Sequence, residues 1–404
     1  MNKINDTYIQ KVELLLNILP LVMDEKVFAV HGGTAINLFL RNLPRFSVDI
    51  DLTYIPVKDR ETSLKEIASH LDNISKRAQR VFPNLHVVSK HDTSKLLCEY
   101  QGKQVKIEVN QIKRGIVGGE ILNLPLCEKA QNIFNNYCEA AVVPVTQLYG
   151  GKIAAALSRQ HPRDLFDVEY MNIPIKTCRE GIIYSLLGSD RPINESLSPR
   201  LLDQHEAMEN QFIGMTDIPF SYEEYEDTRR ELINSVKDVL TPADRNFLVG
   251  FEKGTPDWEN YEFSYLENYP SVKWKSLNIQ KIARTNPEKL EESLEKLCDI
   301  FNADLFSNFA IQKKLAETVR YATEYATSTG MHRGIRWFDD SFNELCDLFT
   351  DINDIDEENV EEVRQKVKNK VLTQCEEHLT ETQLQKVETA IEENSYNQEQ
   401  HLNR

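Results

Sequence analysis

His31-Gly32-Gly33-Thr34-Ala35-Ile36, followed by Arg45-Phe46-Ser47-Val48-Asp49-Ile50-Asp51-Leu52, is the stretch whose reading decides the fold. Glu25 to Val30 reads as a short apolar strand that runs into two glycines, and Ala35 to Arg41 resumes with helical spacing. Glycines at a strand-to-helix turn let a phosphate approach the backbone, and the helix N-terminus that follows offers free N–H donors. In the second stretch Val48, Ile50 and Leu52 alternate with Ser47, Asp49 and Asp51, so a strand period of two sends both carboxylates from one face. Alternate strand residues lie roughly 6.5–7 Å apart, close enough for two carboxylates to share a divalent cation. The expectation is a phosphate cradle beside a metal-binding carboxylate pair. For either motif alone the plainer reading stays open: a buried turn, then a strand with a solvated acidic face.

In order and spacing the two motifs resemble the nucleotidyltransferase superfamily of DNA polymerase β, with its Gly-Gly or Gly-Ser turn and Asp-x-Asp strand. Gly32-Gly33-Thr34-Ala35 with Arg45-x-Ser47-x-Asp49-x-Asp51 resembles more narrowly the AbiEii/AbiGii toxin family, which includes the MenT nucleotidyltransferases. The resemblance extends over roughly residues 5–297. It implies an α/β (α+β) fold, a polymerase-β-like core with a mixed sheet followed by a mostly helical C-terminal region. It also implies Mg²⁺ or Mn²⁺ as cofactor and a nucleoside triphosphate as substrate.

Val145 to Arg159 reads as one helix despite Gly150 and Gly151, with Leu148, Lys152, Ala155 and Arg159 at helical spacing near one face. Pro162-Arg163-Asp164-Leu165-Phe166-Asp167 follows, and the whole arrangement resembles a second AbiEii-family motif. By that resemblance Lys152 contacts the triphosphate, and Asp167 or Asp164 completes a catalytic set with Asp49 and Asp51. Gly32, Gly33, Thr34, Arg45, Ser47, Arg159 and Asp164 are then the nucleotide-binding residues. The physical case for a lysine is independent: a triphosphate carries about four negative charges, and cations must offset the charge that builds on departing pyrophosphate. Against it stands a surface helix on which Lys152 and Arg159 simply pair with Asp164 or Asp167.

Gln104 to Ile112 reads as a strand in which Val105, Ile107 and Val109 alternate with Lys106, Glu108 and Asn110. Relatives of polymerase β take a third acidic metal ligand from such a strand, which makes Glu108 the candidate; a solvated face shared with Lys106 is the alternative. His31 and His161 are read as core residues, because a hard divalent cation prefers oxygen ligands.

At 404 residues the chain suggests two or three domains. The expected division is a core over 1–175, a helical domain over 176–297 and an acidic helical extension over 298–404. Hydrophobic residues at 41% permit a sizeable core, and 27% charged residues indicate a soluble surface. The net charge of −17 argues against nonspecific coating of nucleic acid, although it leaves room for a local basic face. Seven scattered cysteines without Cys-x-x-Cys spacing read as reduced thiols. No long apolar run or signal-peptide pattern is present, so a cytoplasmic protein with no membrane contact is expected.

Farther along, Tyr222 to Leu240 and Asp244 to Glu252 read as helices, and Tyr269 to Asn278 as the lead into a helix from Ile279. Trp274 between Lys273 and Lys275 could stack on a base, but reads better as a buried tryptophan with exposed neighbours. Beyond Phe301 the sequence suggests helices with a break at Ser328-Thr329-Gly330, an acidic loop from Asp351 to Glu358 and a polar run from Glu392. Val360, Val363, Val367 and Val371 give one of these helices a face to bury.

These features imply a metal-dependent nucleotidyltransferase. Ser47 and the glycine backbone would cradle the β- and γ-phosphates, Arg45 would lend charge, and Lys152 would stabilise the leaving group. The family resemblance implies a growth-inhibiting toxin of a toxin–antitoxin or phage-defence pair, with a cognate antitoxin and an RNA acceptor, the 3′ end of tRNA. Arg41, Arg45, Lys152, Arg159 and Arg163 would supply the basic face if they cluster. A protein or small-molecule acceptor, and a nucleotide-binding interaction protein without turnover, are the alternatives.

Overall fold

The protein is described from a computed structural model covering residues 4–305, 309–328, 333–352, 355 and 359–402. Thr329-Gly330 and most of the Asp351–Glu358 stretch lie outside the described residues. Residues 1–297 form one compact unit and residues 298–404 a second.

The first unit is built on a seven-stranded mixed sheet: β1 (Phe28–His31), β2 (Asp49–Tyr54), β3 (His86–Lys90), β4 (Lys95–Tyr100), β5 (Lys103–Val109), β6 (Leu122–Pro125) and β7 (Glu139–Val142). Their spatial order is β3-β4-β5-β2-β1-β7-β6. Strand β2 is antiparallel to β1 and parallel to β5, while β1 is parallel to β7. The expected strand alternation holds: Ile50, Leu52, Val105, Ile107 and Val109 are buried. Helix α1 (Asp6–Met23) lies against β1, β2, β5 and β7, and buries Leu14, Leu15, Leu16, Ile18 and Leu19. Each such side chain stabilises by about 1.5–3 kcal/mol. Asn5 caps this helix by accepting from the Thr7 N–H at 2.9 Å.

After β1 the chain turns through α2 (Gly32–Thr34) into a π-helical turn, Ala35–Leu40. Helix α3 (Arg60–Val81) is capped by Asp59. Beyond it come α4 (Glu128–Phe134), α5 (Val145–Arg159), α6 (Pro162–Glu169) and α7 (Arg179–Leu187). Helices α5 and α7 cross closely because both carry glycine there: a Cβ on Gly150 would fall 2.2 Å from the Gly181 carbonyl carbon. The helix Tyr222–Val239 packs on α5 and α6. The segment read as a lead-in to Ile279 is already helical, because Pro270 sits at the first position of the helix Pro270–Thr285. Proline there loses no intrahelical hydrogen bond.

The second unit contains the helices Phe309–Thr327, Arg333–Ile352, Val360–Cys375 and Glu381–Leu402. Their shared core includes Ile311, Phe338, Phe342, Phe349, Val363, Val367, Val371 and Val387. Of the four predicted valines, Val360 departs from the pattern and is exposed. The polar run from Glu392 continues the last helix. Among the described residues no helix is long and apolar enough to cross a membrane.

Candidate active site

Sheet register decides which side chains meet. His31 on β1 pairs with Asp51 on β2, Asp51 with Glu108 on β5, and Glu108 with Lys95 on β4. One row of the sheet therefore reads His, Asp, Glu, Lys on a single face. In the parallel row beside it Asp49 pairs with Lys106. The Lys106 ammonium lies 3.8 Å from the Asp49 carboxylate and 2.8 Å from that of Glu108, which Lys95 also holds at 3.0 Å. Glu108 is thus bound by two lysines, and its carboxyl stays below its ordinary pKa although burial alone would raise it.

The glycine turn closes over this face. Gly32 has φ of +69°, and a Cβ there would fall 2.6 Å from Asp51 Oδ2. A Cβ on Gly33 would fall 2.8 Å from both the Arg45 guanidinium and the Ser47 hydroxyl. Glycine is therefore required at Gly32 by conformation and at both positions by space. Thr34, buried, donates to the Asp49 carbonyl and lies 3.1 Å from Ser47 Oγ. The turn, both aspartates and Ser47 form one corner.

Behind that corner lies a buried ion network. Arg45 Nε donates to Asp167 Oδ1 at 2.7 Å, and a second guanidinium nitrogen bonds Asp167 Oδ2. Lys152 Nζ lies 2.9 Å from both Asp164 Oδ1 and Asp167 Oδ2. Arg159, largely exposed, reaches Asp164 at 2.8 Å. Asn37 ties the network to the turn, donating to the Gly33 carbonyl at 2.9 Å and to Asp167 Oδ1 at 3.0 Å. Burial would raise both carboxyls, but the charges of Lys152 and Arg159 on Asp164, and of Arg45 and Lys152 on Asp167, hold both below the ordinary value. Three cations meet two carboxylates, the third of them the largely exposed Arg159.

The pairing of Lys152 and Arg159 with Asp164 and Asp167 is real, yet it is not the weak surface pairing weighed from sequence, since Lys152, Asp164 and Asp167 are all buried. Burial also removes Arg45 and Lys152 from any RNA-facing surface, leaving Arg41, Arg159 and Arg163 with solvent exposure. His161 caps α6, its Nδ1 accepting from the Arg163 N–H at 3.2 Å. His31 is not a satisfied core histidine: among the described residues its Nδ1 has no hydrogen-bond partner, its Nε2 faces Gly151, and burial with the charges of Lys113 and Lys152 lowers its pKa to about 3. Trp274 and Lys275 exchange their expected places. Trp274 is exposed, while Lys275 is buried and donates to the Leu186 and Arg191 carbonyls at 2.9 and 2.8 Å. Asn37 escaped the sequence reading, although its spacing of four from Gly33 in an apolar helical stretch was a usable signal.

For a divalent cation the informative group is Asp51. Burial first, and the Asp49 charge second, raise its carboxyl pKa, and no hydrogen bond to it is found among the described residues. Two adjoining carboxylates, one paired with Lys106 and the other, Asp51, without an ion pair among the described residues, are the oxygen donors a hard cation takes. Asp49 and Asp51 fit such an ion. Among the described residues no group of three or more His, Cys, Asp or Glu is assembled around a metal position, and Glu108, the third candidate ligand, pairs with Lys95 and Lys106.

Among solved structures, the nucleotidyltransferase toxin MenT4 of Mycobacterium tuberculosis H37Rv aligns with 72% of this chain and 93% of its own, at 16% identity and a TM-score of 0.44. Among curated proteins none matches this chain. Residues 13–274 match the sequence family described as nucleotidyl transferase AbiEii toxin, type IV toxin–antitoxin system, and that span contains the glycine turn, the paired aspartates and the buried ion network. The chain belongs to the AbiEii family of nucleotidyltransferase toxins of type IV toxin–antitoxin systems.

Proposed function

We propose that the protein transfers a nucleoside monophosphate from a nucleoside triphosphate to an RNA acceptor, the 3′ end of tRNA, and that Asp49 and Asp51 hold the Mg²⁺ this requires. The observation that carries the reading is the single corner made by the Asp49 and Asp51 carboxylates, the Ser47 hydroxyl and a glycine turn too tight for any Cβ. The choice of tRNA rests on the motif likeness to MenT enzymes.

In this reading the Gly32-Gly33 backbone, Thr34 and Ser47 bind the β- and γ-phosphates. Asp164 and Asp167 fix Lys152 and Arg45 beside the turn, so these donors are in place before pyrophosphate departs and need no reorganisation then. A divalent ion at Asp49 and Asp51 would supply Lewis acidity toward the acceptor hydroxyl and the phosphates. Arg41, Arg159 and Arg163 are the cations left to meet the RNA backbone. An antitoxin partner is supported by the family.

The test is to incubate the protein with each α-labelled nucleoside triphosphate and with total RNA or total protein, with Mg²⁺ and with a chelator. Label appearing in RNA of tRNA size, and only with Mg²⁺, is expected. Label on protein or a small molecule, or bound nucleotide with no transfer, would overturn the acceptor or the reaction respectively.

A further inference from the structure

Lys106 stands where the paired aspartates meet the rest of the sheet. The register that sets Asp51 opposite Glu108 also sets Asp49 opposite Lys106, across the parallel strands β2 and β5. Two residues apart on β5, Lys106 and Glu108 leave the same face with opposite charges. The Lys106 ammonium lies 2.8 Å from Glu108 Oε2 and 3.8 Å from Asp49 Oδ2. Glu108 Oε1 is held at 3.0 Å by Lys95, which the register of β4 brings opposite it. Both oxygens of Glu108 are therefore engaged by lysines. Among the described residues no other cation pairs with Asp49, and none pairs with Asp51.

The carboxylate expected to be a third metal ligand thus tethers a lysine, and that lysine leans toward the pair. A Mg²⁺ ion takes a carboxylate oxygen at about 2.0–2.1 Å, so an ion on Asp49 has the ammonium as a like-charged neighbour and competitor. The bond from Lys106 to Glu108 is the shorter of its two and holds the ammonium back from Asp49. Removing Glu108 would let Lys106 close on Asp49, whereas removing Lys106 would leave Asp49 with no cation. The side chains of Lys95, Lys106, Glu108 and Asp49 are between 31% and 34% exposed, so solvent screens the competition to a modest factor.

We propose that Lys106 is a resident counter-ion of the aspartate pair that competes with the divalent ion for Asp49, and that Glu108 is the positioning residue that sets how strongly it competes. The proposal rests on the reading of Asp49 and Asp51 as the metal-holding pair. Glu108 then acts on the metal through Lys106 and is not itself a ligand.

The test is titration of the full metal-free chain with Mn²⁺, followed by the electron paramagnetic resonance signal of the free ion. Wild type, Asp49→Asn, Lys106→Met, Glu108→Gln and the Lys106→Met/Glu108→Gln double variant are compared, each checked for folding by thermal unfolding. Lys106→Met should bind Mn²⁺ about tenfold more tightly than wild type, and Glu108→Gln more weakly by a similar factor. An ion pair with a purely structural role would not move affinity in opposite directions when its two members are removed. The double variant restores the net charge of wild type and should still bind Mn²⁺ more tightly, because the competing ammonium is gone. Were Glu108 a metal ligand, the double variant would bind more weakly than wild type, and that result overturns the proposal. So does a folded Lys106→Met that binds no more tightly than wild type, while Mn²⁺ binding that Asp49→Asn abolishes leaves the metal reading standing. A wild type that binds no Mn²⁺, or binds it equally well as Asp49→Asn, overturns both.

Discussion

Asp51 lies against Gly32 of the turn and Asp167 is tied to Gly33 through Asn37, and their environments push them in opposite directions. Burial and Asp49 raise the Asp51 carboxyl in the folded protein, so its ionised form opposes folding. Any stability it contributes is present below the ordinary carboxylate pKa and is lost as pH rises through the folded value. Asp51→Asn should therefore raise the Tm of the metal-free protein, by about 2 °C if the gain is about 1 kcal/mol. Asp164 and Asp167 have lowered carboxyls, so their contribution is present above about pH 4 and is lost as pH falls toward their folded values. Asp167→Asn leaves Arg45 and Lys152 short of a buried counter-ion and should cost about 3–5 kcal/mol in denaturant unfolding at pH 7. At this scale the sequence reading reached the groups that carry a motif, Asp49, Asp51, Ser47 and Lys152, because their spacing is the signal. It did not reach Asn37, which ties the glycine turn to Asp167, a partner distant in the chain. Trp274 and Lys275 were misplaced for a local reason: with the helix begun at Ile279 instead of Pro270, its phase over these residues could not be read.

Helix α5 is the element that joins the glycine turn to the helical half of the first unit. Its bounds were legible to the residue, since apolar spacing over fifteen residues outweighed two interior glycines. Their purpose was not legible, because it lies in α7. A Cβ on Gly181 would sit 1.9 Å from the Thr146 carbonyl oxygen, so Gly181→Ala must separate the two helices. It should destabilise by about 1–3 kcal/mol and lower the yield of folded protein, as thermal unfolding would reveal. Gly32→Ala acts differently. Its Cβ would meet the Asp51 carboxylate at a backbone conformation that L residues avoid, so a raised KM for nucleotide and a lower kcat are expected together from steady-state label transfer. Strands β6 and β7, four residues each, escaped the sequence reading because so short a run holds too few alternations to stand out.

On the scale of the whole chain, the nucleotidyltransferase-type mixed sheet and the helical C-terminal region follow the expectation from the motifs, and the family match over residues 13–274 lies wholly inside the first compact unit. The second unit has its own apolar core and the larger acidic excess, 21 acidic against 11 basic residues from Phe301 onward. A chain ending after Leu305, which keeps the helix Pro287–Leu305 intact, should fold and transfer label within about twofold of the full chain, as a site contained in one domain predicts. A folded fragment without transfer would show that the second unit takes part in the reaction. The most direct measurement is label transfer from an α-labelled nucleoside triphosphate to RNA by wild type and by Asp51→Asn, with folding of both checked by thermal unfolding. Loss of about three orders of magnitude or more in a variant at least as stable as wild type is predicted, each 1.36 kcal/mol of barrier being tenfold in rate. Undiminished labelling by folded Asp51→Asn would contradict the account.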